Sequence, residues 1–356
     1  MIYNFKDKVF IIAEIGVNHN GNLSLAKKLI IAAKKSGADA VKFQNFTAEK
    51  LVTKNAKKAL YQIKNTKNNK SQFEMLKNLE LKKSYYFNLL KFCKLKKIEF
   101  LSSVFDAESI LFLKNKLKIN IIKVPSGEIT NPLILDSLNL KDYYVILSTG
   151  MSNMKEIINA INSIAKKKIY KLVNKKVTVD NKKELNKIKK KLIIMHCVTD
   201  YPVQNQYANL QCINTLQKDL KIQIGYSDHT KGVIAPLIAV SKGAKIIEKH
   251  FTLDKNMSGP DHSASLDPKE FKKMVDNIRT FEIMNGKGIK KLFICEKNNK
   301  KVVRKSLIAN TFIKKGEKFT YENITTKRPG MGICASKINE YINNKSKKNY
   351  KIDDLI

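Results

Sequence analysis

IQIGYSDH (residues 222–229) decides the fold of this chain: an apolar run passes without a break into serine, aspartate and histidine. Seven more runs have the same form. They are VFIIAEIG (9–16), DAVKFQ (39–44), IEFLSS (98–103), IIKVPSGE (121–128), YVILSTG (144–150), LIIMHC (192–197) and AKIIEKHF (244–251). Short runs that are largely apolar read as strands buried on both faces of a parallel sheet. Stretches with helical spacing separate most of them, such as LSLAKKLIIAAKKSG (23–37). Eight strand–helix repeats closing on themselves predict an α/β fold, a (β/α)8 TIM barrel, with its chemistry at the carboxyl ends of the strands. The polar residues of this chain gather there, which predicts an enzyme.

A chain of 356 residues holds such a barrel plus a smaller appendix. The barrel is expected over residues 1–284, a basic linker over 285–304, and a small, mostly β domain over 305–356, where KSLIANTFIKKGEKFTYENITTKRPGMGI (305–333) alternates short runs with turns. No apolar run approaches the ~18 residues of a membrane span, and MIYNFKDK at the N-terminus lacks the apolar core of a signal peptide. The five cysteines are scattered, with no C-x-x-C spacing. The expectation is a cytoplasmic protein with no membrane partner.

The net charge of +37 raises a nucleic-acid reading. Only Arg279, Arg304 and Arg328 among the 68 basic residues are arginines, the side chain whose planar fork suits nucleic acid best. The remaining basic residues are lysines spread over nearly every predicted helix, so no nucleic-acid partner is expected. The charge can still concentrate an anionic substrate. The lysine- and asparagine-rich stretch 166–191 reads as a surface elaboration on the amino side of the barrel. Residues 46–76 are too long for an ordinary strand-to-helix loop and are expected to cover the substrate.

Among the five histidines, His229 and His250 end neighbouring strands, an arrangement that suits Mn²⁺, Zn²⁺ or Fe²⁺ with carboxylate or water completing the shell. Asp228 is either an orienting group for that pair or the cap of the next helix. Lys42 and Lys123 interrupt apolar strands, where a lysine has to be paired or functional. With Ser103, Ser126 and Ser148 they form a cradle for phosphate or carboxylate, although any one of these serines could instead be a cap or turn residue. Glu14, Glu128 and Asp261 can hold sugar hydroxyls or move protons. Tyr201 and Phe105 offer flat surfaces to a sugar ring, or pack the rim.

Taken in order, AEIGVNHNG (13–21), VKFQ (41–44), IKVPSGE (122–128), LSTGM (147–151), HCVTDYP (196–202), GYSDHT (225–230), EKHFTLDKNMSGPDH (248–262) and TTKRPGMGI (325–333) resemble the sialic acid synthase family over nearly the whole chain. The resemblance includes the C-terminal domain, which is similar to the antifreeze-like (SAF, β-clip) module of those synthases. It implies a transferase that condenses phosphoenolpyruvate with an open-chain N-acylated mannosamine and water, releasing phosphate. By the same resemblance His229 and His250 hold Mn²⁺ or Mg²⁺. Lys42, Ser103, Lys123, Ser126, Ser148 and Thr199 bind phosphoenolpyruvate, and Glu14, Gln44, Phe105, Tyr201 and Asp261 bind the sugar. Glu14, Glu128 and Lys42 stand at the reacting atoms. The family also implies a domain-swapped homodimer in which Arg328 reaches the partner's sugar site.

The third strand ends SSVF where the family has S-T-P-F, which keeps the Ser103 hydroxyl and changes the loop after it. The stretch 166–191 is longer than in most members. YQIKNT (61–66) and SQFEMLKNLEL (71–81) look most like the neuraminate and legionaminate branches. N-acetylmannosamine giving N-acetylneuraminate is the first expectation, and a diacetamido-trideoxyhexose giving legionaminate or pseudaminate is the alternative. Two readings from other classes compete: an aldolase forming a Schiff base through Lys42 or Lys123, and a basic nucleic-acid-binding protein.

Overall fold

In the computed structural model, which describes residues 8–68 and 70–356, eight parallel strands close into a barrel. They are β1 (Phe10–Gly16), β2 (Ala40–Asn45), β3 (Glu99–Val104), β4 (Ile121–Val124), β5 (Tyr144–Ser148), β6 (Leu192–Cys197), β7 (Gln223–Asp228) and β8 (Ile246–His250). Each neighbours the next in chain order, and β8 pairs with β1 to close the ring. All eight expected runs are barrel strands. The expectation about the N-terminus falls largely on residues 1–7, outside the described residues. Among the described residues no helix is long and apolar enough to cross a membrane.

Side chains alternate across a strand, and here the alternation builds two cores. Ile12, Ala40, Leu101, Ile121, Ile146, Ile193, Met195 and Ile246 fill the barrel interior. The intervening residues, among them Ile11, Val41, Phe100, Ile122, Val145, Ile194 and Ile247, belong to the larger core shared with the surrounding helices. Two residues beyond the inner layer, the same faces carry Glu14, Lys42, Ser103, Lys123, Ser148, Cys197 and Glu248. The barrel is therefore plugged with hydrocarbon on its amino side and lined with polar groups on its carboxyl side.

The chain divides into two compact units, one ending at Asn285 and the other spanning Gly286–Ile356. Residues 166–191 hold a two-stranded hairpin, Tyr170–Val173 with Lys176–Val179, and the helix Lys182–Ile188, all ahead of the amino end of β6. The Tyr170 hydroxyl donates to the Leu220 carbonyl, tying the hairpin to the helix Cys212–Leu220. In the second unit, Ser306–Ala309 pairs antiparallel with Ile324–Lys327 over a core of Ala309, Ile313, Phe319, Ile324 and Tyr350. Residues 294–303 carry a 3-10 turn and the helix Lys297–Val303.

Candidate active site

Register brings the charged groups into one layer. Glu14 on β1 lies opposite Lys42 on β2 and opposite His250 on β8, and Ser103 on β3 lies opposite Lys123 on β4. Lys42 Nζ sits 2.8 Å from Glu14 Oε2 and donates to Ser103 Oγ at 2.9 Å. Lys123 Nζ donates to Ser148 Oγ at 2.7 Å. Between the two lysines stands Glu248, with Oε1 3.7 Å from Lys42, 3.5 Å from Lys123 and accepting from Ser227 Oγ at 3.0 Å. Gln44 Nε2 donates to the other oxygen of Glu14 at 3.0 Å. Two cations and two carboxylates thus balance in a place where one unpaired charge would cost several kcal/mol, of the order of 3–5.

The electrostatics follow from that arrangement. Burial opposes the charge of Lys42, but Glu14 and Glu248 outweigh it and hold the ammonium above its ordinary pKa. Burial also opposes the charge of Lys123, which has Glu248 alone at ion-pair distance, and its pKa falls. Burial would raise Glu248, yet Lys123 and Lys42 pull it down to about 2. Burial, and then the nearby Glu14 charge, push Asp261 up to about 7.

The two histidines meet beside this cluster, ring centroids 5.5 Å apart. His229 Nδ1 lies 2.7 Å from the Val198 carbonyl oxygen, which can only accept, so Nδ1 carries a proton and in the neutral ring the lone pair is on Nε2. Metal-binding imidazoles are held in this way. His250 Nδ1 is buried with no hydrogen-bond partner and lies 3.8 Å from Asp261 Oδ2. Among the described residues no three His, Cys, Asp or Glu side chains are gathered tightly enough to hold a metal by themselves. The donor set therefore fits a divalent cation held by two imidazoles, with water or substrate supplying its other ligands. Tyr201 covers the pair, its ring 4.2 Å from His229 and 5.6 Å from His250.

These groups line one cavity of about 210 Å³. Of the residues expected from the sequence, Glu14, Lys42, Gln44, Ser103, Phe105, Lys123, Ser126, Ser148, Thr199, Tyr201, His229, His250 and Asp261 all face it. Glu128 does not. It ends the short turn Ser126–Glu128 after β4, and its carboxylate accepts from Asn131 Nδ2 at 2.7 Å. Arg328 is exposed in the second unit. Asp228 faces away from the cavity, bound to Lys249 Nζ at 2.5 Å, to the Tyr226 hydroxyl at 2.9 Å and to the Thr230 amide at 2.8 Å. It is both a partner for a buried lysine and a local cap.

Glu248, Ser227 and Cys197 also line the cavity and were not singled out in the sequence, while Tyr61 and Gln62 reach it from the stretch 46–76 expected to cover the substrate. The signal for Glu248 was present: in AKIIEKHF it lies two residues before His250 and so shares its face. Close approach also shapes the floor. A methyl group on Gly150 would lie 2.1 Å from Thr199 Oγ1 and 2.8 Å from Ser126 Oγ, the hydroxyl to which the Gly150 amide donates at 3.0 Å. Gly16 adopts φ +54°, a left-handed turn that glycine takes without strain.

A closed barrel with paired lysines, carboxylates and two imidazoles at its carboxyl rim defines an enzyme for anionic substrates. The chain belongs to the NeuB family, whose model matches residues 29–290. It is an enzyme of the nonulosonic acid synthase class, a transferase. It is similar to an N,N'-diacetyllegionaminic acid synthase of Campylobacter jejuni, 46% identical over 98% of this chain and 99% of that protein. A second N,N'-diacetyllegionaminic acid synthase, from Legionella pneumophila, is 42% identical over 96% of this chain and 91% of its own length. Among solved structures, the N-acetylneuraminic acid synthetase of Leptospira borgpetersenii superposes with a TM-score of 0.65 at 32% identity, covering 82% of this chain and 90% of that one.

Proposed function

We propose that this chain joins phosphoenolpyruvate to an open-chain diacetamido-trideoxyhexose, adds water and releases phosphate, giving N,N'-diacetyllegionaminate. The sequence led first to N-acetylmannosamine as acceptor. The relatives at 46% and 42% identity carry the legionaminic name and the structure at 32% the N-acetylneuraminic one, so the acceptor is revised to the trideoxyhexose.

The observation that carries the reaction class is the buried Lys42–Lys123 pair sharing Glu248 in a cavity that also holds His229 and His250. Two ammonium groups a few ångströms from serine hydroxyls suit a phosphate and an adjacent carboxylate. Lys42, Lys123, Ser126 and Ser148 bind phosphoenolpyruvate, with Ser103 and Thr199 supporting. Glu14, Gln44, Tyr201, Asp261 and Phe105 orient the sugar. Mn²⁺ or Mg²⁺ held by His229 and His250 supplies, when bound, Lewis-acid polarisation of the aldehyde oxygen.

The methylene carbon of the enol ester forms the new bond to the aldehyde carbon, and the aldehyde oxygen takes a proton. Water adds to the carbon bearing phosphate, and the bond from that carbon to the phosphate oxygen then breaks. No oxidant is needed. The lysines hold the anionic substrate and receive the departing phosphate in a site where their charge is unscreened. The C-terminal unit is assigned as an antifreeze-like (SAF) module of a domain-swapped homodimer, with Arg328 reaching the sugar held by a second subunit.

Phosphate release from phosphoenolpyruvate in the presence of Mn²⁺ tests this directly, with the diacetamido-trideoxymannose and N-acetylmannosamine run in parallel. Faster turnover of the former is expected. A preference for N-acetylmannosamine would return the acceptor to the neuraminate branch, and inactivity of the folded, metal-loaded protein on both would remove the reaction class.

A further inference from the structure

The cavity lining divides by chemistry. The barrel strands and the loops at their carboxyl ends contribute the lysines, carboxylates and histidines, whereas the long segment after β2 contributes Met75, Leu76 and Leu79 beside Tyr61 and Gln62. These three pack with Val17 and Phe105, which also line the cavity, in an apolar cluster separate from both barrel cores.

Helix Gln72–Leu79 makes that surface. Ser71 caps it, its hydroxyl accepting from the Glu74 amide at 3.2 Å while the Glu74 carboxylate accepts from the Ser71 amide at 2.8 Å. Met75 and Leu79 lie one turn apart on one face, both buried, and Leu76 beside them is half-buried. Gln62, the amide that the excursion brings to the cavity, spends its groups locally. Its oxygen accepts from the Ala59 amide at 3.0 Å and from Gln72 Nε2 at 3.3 Å, and its nitrogen donates to the Tyr61 hydroxyl at 3.3 Å.

A substrate hydroxyl set against these five apolar side chains would give up its bonds to water and gain none. A methyl group set there would be stabilised by leaving water. The reacting aldehyde has to lie by the histidines and lysines, so the far end of the open-chain sugar is the part that meets the apolar side.

Resting on the acceptor assigned above, we propose that Met75, Leu76 and Leu79, with Val17 and Phe105, select the sugar. They accept the terminal methyl of a diacetamido-trideoxyhexose and the acetyl methyl of its second acetamido group, and disfavour the hydroxyls that N-acetylmannosamine carries at those carbons. The chemistry that supplies this acceptor must therefore include a deoxygenation and a second amination of the hexose.

Leu76→Gln, at a half-buried position, tests the surface without emptying a core. In this variant kcat/KM for the diacetamido-trideoxymannose should fall by about tenfold or more, the scale on which an apolar pocket discriminates. The value for N-acetylmannosamine should change by less than about twofold, and KM for phosphoenolpyruvate should stay as in the parent. Met75→Leu, which conserves volume and polarity, should retain the parent's preference. An equal fall on both sugars, or no fall on either, overturns the proposal. The two layers of inference fail differently. If the parent enzyme itself prefers N-acetylmannosamine, the acceptor is wrong; if it prefers the trideoxyhexose and Leu76→Gln keeps that preference undiminished, the selecting surface is wrong.

Discussion

Lys42 and Glu14 face one another from adjacent strands, Nζ to Oε2 at 2.8 Å, and the two side chains are only 3% and 2% exposed. Such a pair stabilises little when whole, because desolvation consumes most of the attraction, but it is costly to break. Lys42→Met should leave Glu14 and Glu248 short of a cation and destabilise the barrel by about 3–5 kcal/mol. Turnover should be lost with it. Urea unfolding and phosphate release check both, and a Lys42→Met enzyme with unaltered KM for phosphoenolpyruvate would remove this lysine from the substrate site.

Glycine at position 150 is a steric requirement of the same floor. Gly150→Ala puts a methyl 2.1 Å from Thr199 Oγ1 and forces Thr199 and Ser126 apart. Overpacking of this kind costs about 1–3 kcal/mol, and here the displaced hydroxyls are ones assigned to phosphoenolpyruvate. The expected signature is a raised KM for phosphoenolpyruvate, at least several-fold, with a smaller change in KM for the sugar. The reverse pattern would place the substrate elsewhere.

The histidine pair predicts metal dependence. EDTA should abolish turnover, and Mn²⁺ should restore it. His250→Ala should stay folded and lose bound Mn²⁺ as measured by metal analysis of the dialysed protein, a readout independent of activity. Retention of stoichiometric Mn²⁺ by His250→Ala would refute the ligand assignment.

Acid should weaken the fold through His19, in the loop after β1. Burial holds its imidazole at about 4, below the ordinary 6.5, with the neighbouring His262 also held at about 4 by burial. His19 Nδ1 accepts from the Gly21 amide at 3.0 Å, a bond that only the neutral ring can make. The unfolded chain takes up this proton near pH 6.5 and the folded chain near pH 4. The His19 contribution is therefore complete above pH 6.5 and is lost as pH falls toward 4. At pH 4.5 the loss amounts to about 2–3 kcal/mol. The gap between the urea midpoints at pH 7 and pH 4.5 should narrow in His19→Asn, whose amide oxygen can accept the same bond, with His262 keeping its own share of the acid loss. An equal acid slope in both proteins would show that His19 is not the sensitive group.

How much of this was legible in the sequence depends on periodicity. The eight strands announced themselves because a buried parallel strand is apolar on both faces, and the change to polar residues at each carboxyl end marked the rim. Cavity-facing residues such as Lys42, Lys123 and His250 could be named because a charge or an imidazole ending an apolar run is conspicuous. Glu248 was less visible, since in EKHF it reads as one of three polar neighbours until the inward face is counted from Ile246. Asp228 was ambiguous for the opposite reason: it adjoins His229 in the chain but points to Lys249 on the neighbouring strand. Glu128 shows the limit of strand-end reasoning, because β4 stops at Val124 and a 3-10 turn sets the direction of the residues after it. The stretch 46–76 was expected to cover the substrate, but the apolar character that Met75, Leu76 and Leu79 give to the lining was not legible, as nothing in an amphipathic helix says whether its apolar face meets a core or a substrate.

Arg328 supplies the remaining test, since the role proposed for it depends on a second subunit. Arg328→Ala should raise KM for the sugar and leave KM for phosphoenolpyruvate unchanged, because the residues proposed to hold phosphoenolpyruvate all lie in the barrel. His250→Ala should be inactive by itself. In a mixed dimer the Arg328→Ala subunit keeps an intact barrel and receives Arg328 from its His250→Ala partner, which rebuilds one complete site. Random exchange makes half the dimers mixed, each with one working site of two. Unfolding and refolding the two variants together should thus restore roughly a quarter of the parent's activity at low sugar concentration, where Arg328→Ala alone is weak. Restoration requires that the arginine act across the interface. If the mixture does no better than the sum of the separate variants, Arg328 serves its own barrel or none.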